Sequence, residues 1–304
     1  MIDVLGQMAA LLLCGVLWRA LRPLGLDADQ TRRAITGLVF VLLLPALVLL
    51  VLWRAPLGKE SLWIAGIAAG GVLFGVLLAG IAYRMMGTAR TATGALILAA
   101  AWPNATYLGL PVLEEALGSW GRSVAIQYDL FACTPLLLSL GILLARAHGH
   151  DDQGEGPLKA LLKVPPLWAA ILGVALNLSE APLNPWLEGV LQRLGPTVPP
   201  LMLIALGMGL RWDTLHPRQL GIMAPALLIQ LLLMPLFALA VADAAGLRPE
   251  LRAGIVLEAA MPTMVLGIVL CDRYKLDSGL YAAVVSVSTL ISLTSLPWWF
   301  GILL

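Results

Sequence analysis

Two carboxylates, Asp129 and Glu258, lie well within apolar stretches of the chain, where an ionisable group is expensive and by default marks an ion or substrate pathway. Two prolines occupy the same kind of setting. In "AAAWPNATYLG" (99–109) Pro103 is followed by Asn104, and in "EAAMPTMVLGI" (258–268) Pro262 is followed by Thr263. A proline inside a helix has no N–H to give and displaces the carbonyl four residues earlier, so Pro103 frees that of Ala99 and Pro262 that of Glu258. Trp102 and Met261, just ahead of the prolines, are biased toward extended geometry. Unpaired backbone at membrane depth is tolerated only where it lines a cavity or meets a ligand, so the chemistry expected here is binding. The half-helix that restarts after each break turns its positive dipole end to the midplane and suits an anion. The half that ends there offers carbonyls and the Glu258 side chain to a small cation. Asn104 and Thr263 add side-chain hydrogen bonds, and Tyr107 and Gln230 are candidate walls. The candidate substrate-binding set is therefore Pro103, Asn104, Tyr107, Pro262 and Thr263. The bland alternatives are proline kinks, a packed tyrosine and protonated acids that hold helices together.

The elements that position these residues follow from composition. The chain has 304 residues, 60% hydrophobic and 12% charged, against about 25% charged in an ordinary soluble domain. Its apolar residues come in blocks near the ~20 residues that cross a bilayer as helix. The reading is an all-α integral membrane protein with ten transmembrane helices near 2–21, 34–53, 62–83, 92–113, 123–145, 164–180, 195–211, 217–242, 251–271 and 279–303. Residues 2–21 read as a retained first helix rather than a signal peptide. The 19 basic residues fall in two sets of loops: Arg19, Arg22, Arg32, Arg33, Arg84, Arg90, Arg146, Lys159, Lys163, Arg211, Arg218, Arg273 and Lys275 on one side, and Arg54, Lys59, Arg122, Arg193, Arg248 and Arg252 on the other. The richer set belongs in the cytoplasm, so both termini face outward; the membrane expected is a bacterial-type inner membrane. Cys14, Cys133 and Cys271 are far apart and form no metal or disulfide pattern. Asn104 and Asn177 match a glycosylation pattern, but at span positions where the match is an accident.

The second half echoes the first. Pro103 and Pro262 align, "LLPALV" (43–48) lies over "VPPLML" (198–203), and "SVAIQYDLFACT" (123–134) over "SGLYAAVVSVST" (278–289). Five spans per half make the two copies enter the membrane from opposite sides, an inverted repeat. Interrupted helices in matching positions of such halves point to a transporter's binding site. The expected division is residues 1–145 as the first five-helix repeat, 146–163 as a cytoplasmic linker loop and 164–304 as the second repeat. Gly109, Gly267, "GIAAG" (66–70) and "GVLFG" (71–75) permit close helix contact.

Three stretches, "WPNATYLGLPVLEEALG" (102–118), "LEAAMPTMVLGIVLCDRYKLD" (257–277) and "AAVVSVSTLISLTSLP" (282–297), resemble the auxin efflux carrier family, the plant auxin exporters and their bacterial relatives, which include candidate malonate transporters. The resemblance covers the whole chain. It implies a scaffold of helices 1, 2, 6 and 7 and a mobile transport domain of helices 3–5 and 8–10. It also implies crossing of broken helices 4 and 9 beside the substrate, a homodimer and an elevator movement. Asn104 matches the substrate-contacting asparagine of the plant carriers, whose long central loop this chain lacks. A more distant likeness to bile acid sodium symporters lies in Glu258 ahead of the second proline. With it, Asn104, Asp129, Thr134 and Glu258 are the candidate cation-coupling set, with sodium at Asp129 and Glu258 or a proton as the coupled ion, and no cofactor.

The function expected is secondary transport of a small organic anion, auxin-like or malonate-like, with the lipid bilayer as its setting and no nucleic-acid partner. No GxxxxGK[ST] loop for a pump and no GxSxG or HExxH motif for an intramembrane enzyme occurs, and His148, His150 and His216 fall in loops. A ligand-binding membrane sensor with a transporter-like fold is the competing reading.

Overall fold

A computed structural model describes residues 2–55, 57–149, 162–210 and 219–303. Most of the expected linker (150–161) and the loop 211–218 with His216 lie outside the described residues, as does His150. Among the described residues all regular structure is helical, apart from one isolated antiparallel bridge. The helices are α1 (Ile2–Leu21), α2 (Ala28–Arg54), α3 (Lys59–Met85), α4 (Arg90–Ala101), α5 (Ala105–His148), α6 (Pro165–Leu178), α7 (Pro185–Leu194), α8 (Val198–Gly209), α9 (Leu220–Ala244), α10 (Pro249–Ala259), α11 (Gly267–Arg273) and α12 (Ser278–Leu303). Five of them, α2, α3, α5, α9 and α12, are long and apolar enough to cross a membrane. The chain is a multi-pass membrane protein.

Prolines shape the long helices without ending them. Pro45, Pro111, Pro135 and Pro235 each stand just after a widened turn, Val39–Leu43, Ala105–Gly109, Asp129–Cys133 and Ile229–Leu233. The extra residue in the turn makes room for the ring and for the carbonyl it displaces. At Pro235 the displaced carbonyl, that of Leu231, accepts a hydrogen bond from the Trp299 indole at 3.1 Å.

The 44-residue α5 is a hairpin rather than a rod. Gly118 takes φ 68° and ψ −155°, a backbone region open to glycine. Beyond it the chain turns back: Gly121 lies against the Leu113 carbonyl, Arg122 pairs with Glu114 at 2.8 Å, and Thr106 reaches Asp129. The first arm thus brings Asn104 and Thr106 beside Asp129 on the second.

The packing falls into two groups. In one, α1 runs along α8, α2 touches α8 and α7, and α6 lies along the second half of α2. Here α1 and α8 meet backbone to backbone, because a side chain on Gly15 would strike the Ile204 carbonyl and one on Gly207 the Leu12 carbonyl. The far ends of α2 and α6 are tied reciprocally: Asn177 donates to the Trp53 and Ala55 carbonyls at 2.8 Å, and the Trp53 indole donates to the Ala181 carbonyl at 2.9 Å. In the other group α3, α4, α5, α9, α10, α11 and α12 pack on one another. Of the close contacts expected from 66–75, Gly70 lies against Phe237 and Gly75 abuts Ala101, whereas Gly66 has nothing within 4 Å. The groups meet chiefly where α8 runs past the start of α5.

Candidate functional site

Both sequence-marked prolines interrupt a helix. The segment α4 stops at Ala101 and α5 begins at Ala105, while α10 stops at Ala259 and α11 begins at Gly267. Just ahead of the first proline the chain is extended, as expected there: Trp102 has φ −114° and ψ 109°. The two extended pieces cross antiparallel with Pro103 opposite Thr263. Asn104 N–H donates to the Pro262 carbonyl at 2.7 Å and Met264 N–H to the Trp102 carbonyl at 2.8 Å. This pairing leaves the N–H of the bridged residue pointing away, so Pro103 fits there without losing a bond.

The carbonyls freed by the breaks are taken up locally. Thr263 Oγ1 donates to the Ala99 carbonyl at 2.8 Å, and the Glu258 carbonyl accepts from Met261 N–H at 3.2 Å. Gln230, wholly buried, donates to the Met261 carbonyl at 2.9 Å and caps the end of α10. Thr263 N–H reaches Ser288 Oγ at 3.2 Å, and the Tyr281 hydroxyl donates to the Met264 carbonyl at 2.5 Å. The crossing is thereby a closed backbone knot, held by side chains from α9 and α12.

What remains open lies on one side of the knot. A cavity of about 140 Å³ is walled by Phe40 and Leu44 of α2, Leu130, Leu137 and Leu138 of α5, Val164 and Pro166 at α6, and Met264, Leu266, Val269 and Leu270 around α11. Its polar residues are Asn104, Thr106, Tyr107, Asp129 and Thr134. Asp129 is buried and accepts hydrogen bonds from both threonines, that from Thr134 at 2.9 Å. Asn104 is buried too, its carbonyl accepts from Gly109 N–H at 2.9 Å, and its side-chain Nδ2 has no partner. A buried donor left unpaired costs about 1–3 kcal/mol, which an oxygen of a bound solute would relieve. At the start of α5 the N–H groups of Ala105 and Leu108 are taken by the Pro103 and Asn104 carbonyls, and the helix's positive end lies here. No lysine or arginine lines the cavity.

The family model described as membrane transport protein matches residues 4–300. The chain belongs to this family, the auxin efflux carriers. Among similar sequences, an uncharacterized transporter of Methanothermobacter thermautotrophicus is 34% identical over 289 residues, covering 92% of this chain and 91% of its own. An uncharacterized transporter of Methanocaldococcus jannaschii is 29% identical over 223 residues, covering 69% and 68%. The uncharacterized transporter YfdV of Escherichia coli strain K12 is 27% identical over 209 residues, covering 66% and 65%.

In this member of the family, Asn104, Tyr107, Asp129 and Thr134 come together at the cavity, whereas Pro103, Pro262 and Thr263 build the knot behind it. Glu258 is off the cavity wall: it is wholly buried against Gly109, and neither carboxyl oxygen has a hydrogen-bond partner. Among the described residues no three His, Cys, Asp or Glu gather as for a metal. The oxygens of Asp129, Thr106 and Thr134 are the right donor type for a hard cation. Thr106 is the residue that sequence reading missed. Its signal was present, a hydroxyl two positions after Asn104 within an otherwise apolar run.

Proposed function

We propose that the chain is a secondary transporter of a small organic anion, carried by an elevator-type movement. The observation that carries this reading is the crossing of two broken helices beside a cavity that holds one unpaired amide and one buried acid. The reading takes the ten spans as two inverted five-helix repeats, α4 with the first arm of α5 forming the fourth and α10 with α11 the ninth. The scaffold is then α1, α2, α6, α7 and α8, and the moving part is the rest. Two features support this division: contacts concentrate within each group, and the cavity lies between them, with Phe40, Leu44, Val164 and Pro166 on one side and the crossing on the other.

The lining argues for a monocarboxylate with an apolar body. Aliphatic and aromatic walls take the body, while Asn104 Nδ2 and the α5 N-terminus meet the carboxylate. A second carboxylate would find no cation there. Asp129 faces the same space, so an ionised Asp129 and an anion would repel each other at low dielectric. A proton or a sodium ion shared at Asp129, with Thr106 and Thr134 as neighbours, removes that repulsion and couples its own gradient to the solute. Glu258 is sealed behind Gly109, off the cavity, and takes no direct part in this arrangement. The proposal further takes the membrane as an inner membrane with both termini outward, and the working unit as a homodimer.

Uptake of labelled benzoate, hexanoate, indole-3-acetate and malonate into proteoliposomes tests the reading. Accumulation of a monocarboxylate that follows an imposed proton or sodium gradient, and loses that dependence in Asp129→Asn, is expected. Counterflow of label separates carriage from mere sensing. Binding without counterflow for every acid would refute transport, and gradient-independent accumulation by the wild type would refute coupling.

A further inference from the structure

A second cavity, about 230 Å³, backs onto the first across α11. Val265, Ile268 and Asp272 line it, whereas Met264, Leu266, Val269 and Leu270 line the apolar cavity, so opposite faces of one short segment serve two compartments. The chemistry differs sharply. The second cavity carries Asp29, Arg32 and Arg33 at the start of α2, Asp272 on α11, and Ser278 and Gly279 at the first turn of α12.

Arg33 differs from several arginines at the opposite end. Arg54, Arg122, Arg248 and Arg252, of the set assigned outward, each pair with an acid: Glu188, Glu114, Glu60 and Asp243. At the second cavity Asp29 is already held by Arg19 at 2.5 Å and lies 3.8 Å from Arg32. The Arg33 guanidinium is exposed and makes no ion pair among the described residues.

We infer that this cavity is a docking site for the carboxylate of the transported solute, with Arg32 and Arg33 as its cationic wall and Asp272 as the opposing charge that keeps the stay short. This rests on the anion-transport reading above. An anion passing straight from water into the apolar cavity exchanges its hydration for one amide and a helix end. A half-hydrated stop beside planar guanidinium groups, which match a carboxylate in two hydrogen bonds, divides that step. The wall between stop and cavity belongs to the moving group, and the arginines belong to the other, so relative movement would open one to the other.

Transport kinetics in inside-out and right-side-out vesicles test this, with labelled benzoate, hexanoate and indole-3-acetate as probes. Arg33→Gln is expected to raise KM about fivefold for entry from the arginine-bearing face, with kcat within about twofold and no change from the opposite face. Arg33→Lys should recover about half of the loss, since it restores charge without the fork, and Asp272→Asn should lower KM about twofold. Unchanged KM in Arg33→Gln, or an equal change at both faces, overturns the inference while the transport reading stands. Wild-type vesicles that carry none of the probes sink the transport reading, and the docking site with it. The same fivefold effect should persist in pure phosphatidylcholine proteoliposomes. If it vanished there and returned with phosphatidylglycerol, the arginines would be reading lipid headgroups, and the inference would be wrong.

Discussion

Asn104 carries the sharpest expectation at the residue scale. Its Nδ2 is a buried donor with no partner inside the protein, and it stands at the cavity. Asn104→Ala should therefore cost little stability while weakening solute binding by about 1–3 kcal/mol, roughly fivefold to 150-fold in KM. Uptake kinetics beside a thermal melt separate the two, and a large fall in melting temperature with unchanged KM would make Asn104 a packing residue. Gly109 behaves in the opposite manner. A methyl group there would sit 2.4 Å from Glu258 Oε2, so Gly109→Ala should destabilise by about 1–3 kcal/mol through overpacking. Because the neighbour is a side chain and not backbone, adding Glu258→Ala should restore part of the melting temperature. A double variant no better than the single one would show that the strain lies elsewhere.

The working part at the element scale is the knot and not the prolines alone. Proline makes the break affordable, but Thr263 finishes it by occupying the Ala99 carbonyl. Thr263→Val keeps the shape and removes the hydroxyl, leaving that carbonyl unpaired at membrane depth, for a loss of about 1–3 kcal/mol in stability. Pro103→Ala restores an N–H in a segment whose natural acceptor, the Ala99 carbonyl, is already used. That variant is expected to fold and to transport at under about a tenth of the wild-type rate, because helical continuation through residue 103 competes with the crossing and closes the space beside Asn104. Equal turnover in Pro103→Ala and wild type would mean that the crossing is not part of the transport cycle.

At the scale of the whole molecule, the two packing groups share few contacts outside the path of α8 along α5. The proposed elevator movement takes relative displacement as the easy motion and deformation within either group as the costly one. A thiol cross-linker between Phe40→Cys and Val269→Cys, which face the cavity from opposite groups, should arrest uptake and release it on reduction. The native Cys14, Cys133 and Cys271 must first be replaced. A cross-link inside one group, between Leu11→Cys on α1 and Leu203→Cys on α8, should leave uptake within about twofold, as rigid-body movement requires. Inhibition by both links alike would argue for a change of shape within the groups.

The residue types alone determined a good deal. Blocks of apolar residues near bilayer length dictate a helical membrane protein, because a helix satisfies its backbone within one such block, whereas a closed barrel would need short alternating segments. A proline in the middle of such a block removes one ladder bond, which widened turns absorb at Pro45, Pro111, Pro135 and Pro235, and the repeat of Pro103-Asn104 by Pro262-Thr263 marked the two places where the helix ends instead. Proline's effect is covalent and local, so it survives any tertiary context. The pairing of side chains is not local. Asp129 and Glu258 were equivalent in the sequence, each an acid in an apolar run, yet one faces the cavity with two hydroxyl partners and the other is sealed against a glycine. Only the reversal at Gly118, which folds Thr106 back onto Asp129, and the antiparallel docking of Pro103 on Thr263 settled that difference, because each depends on contacts between residues far apart along the chain.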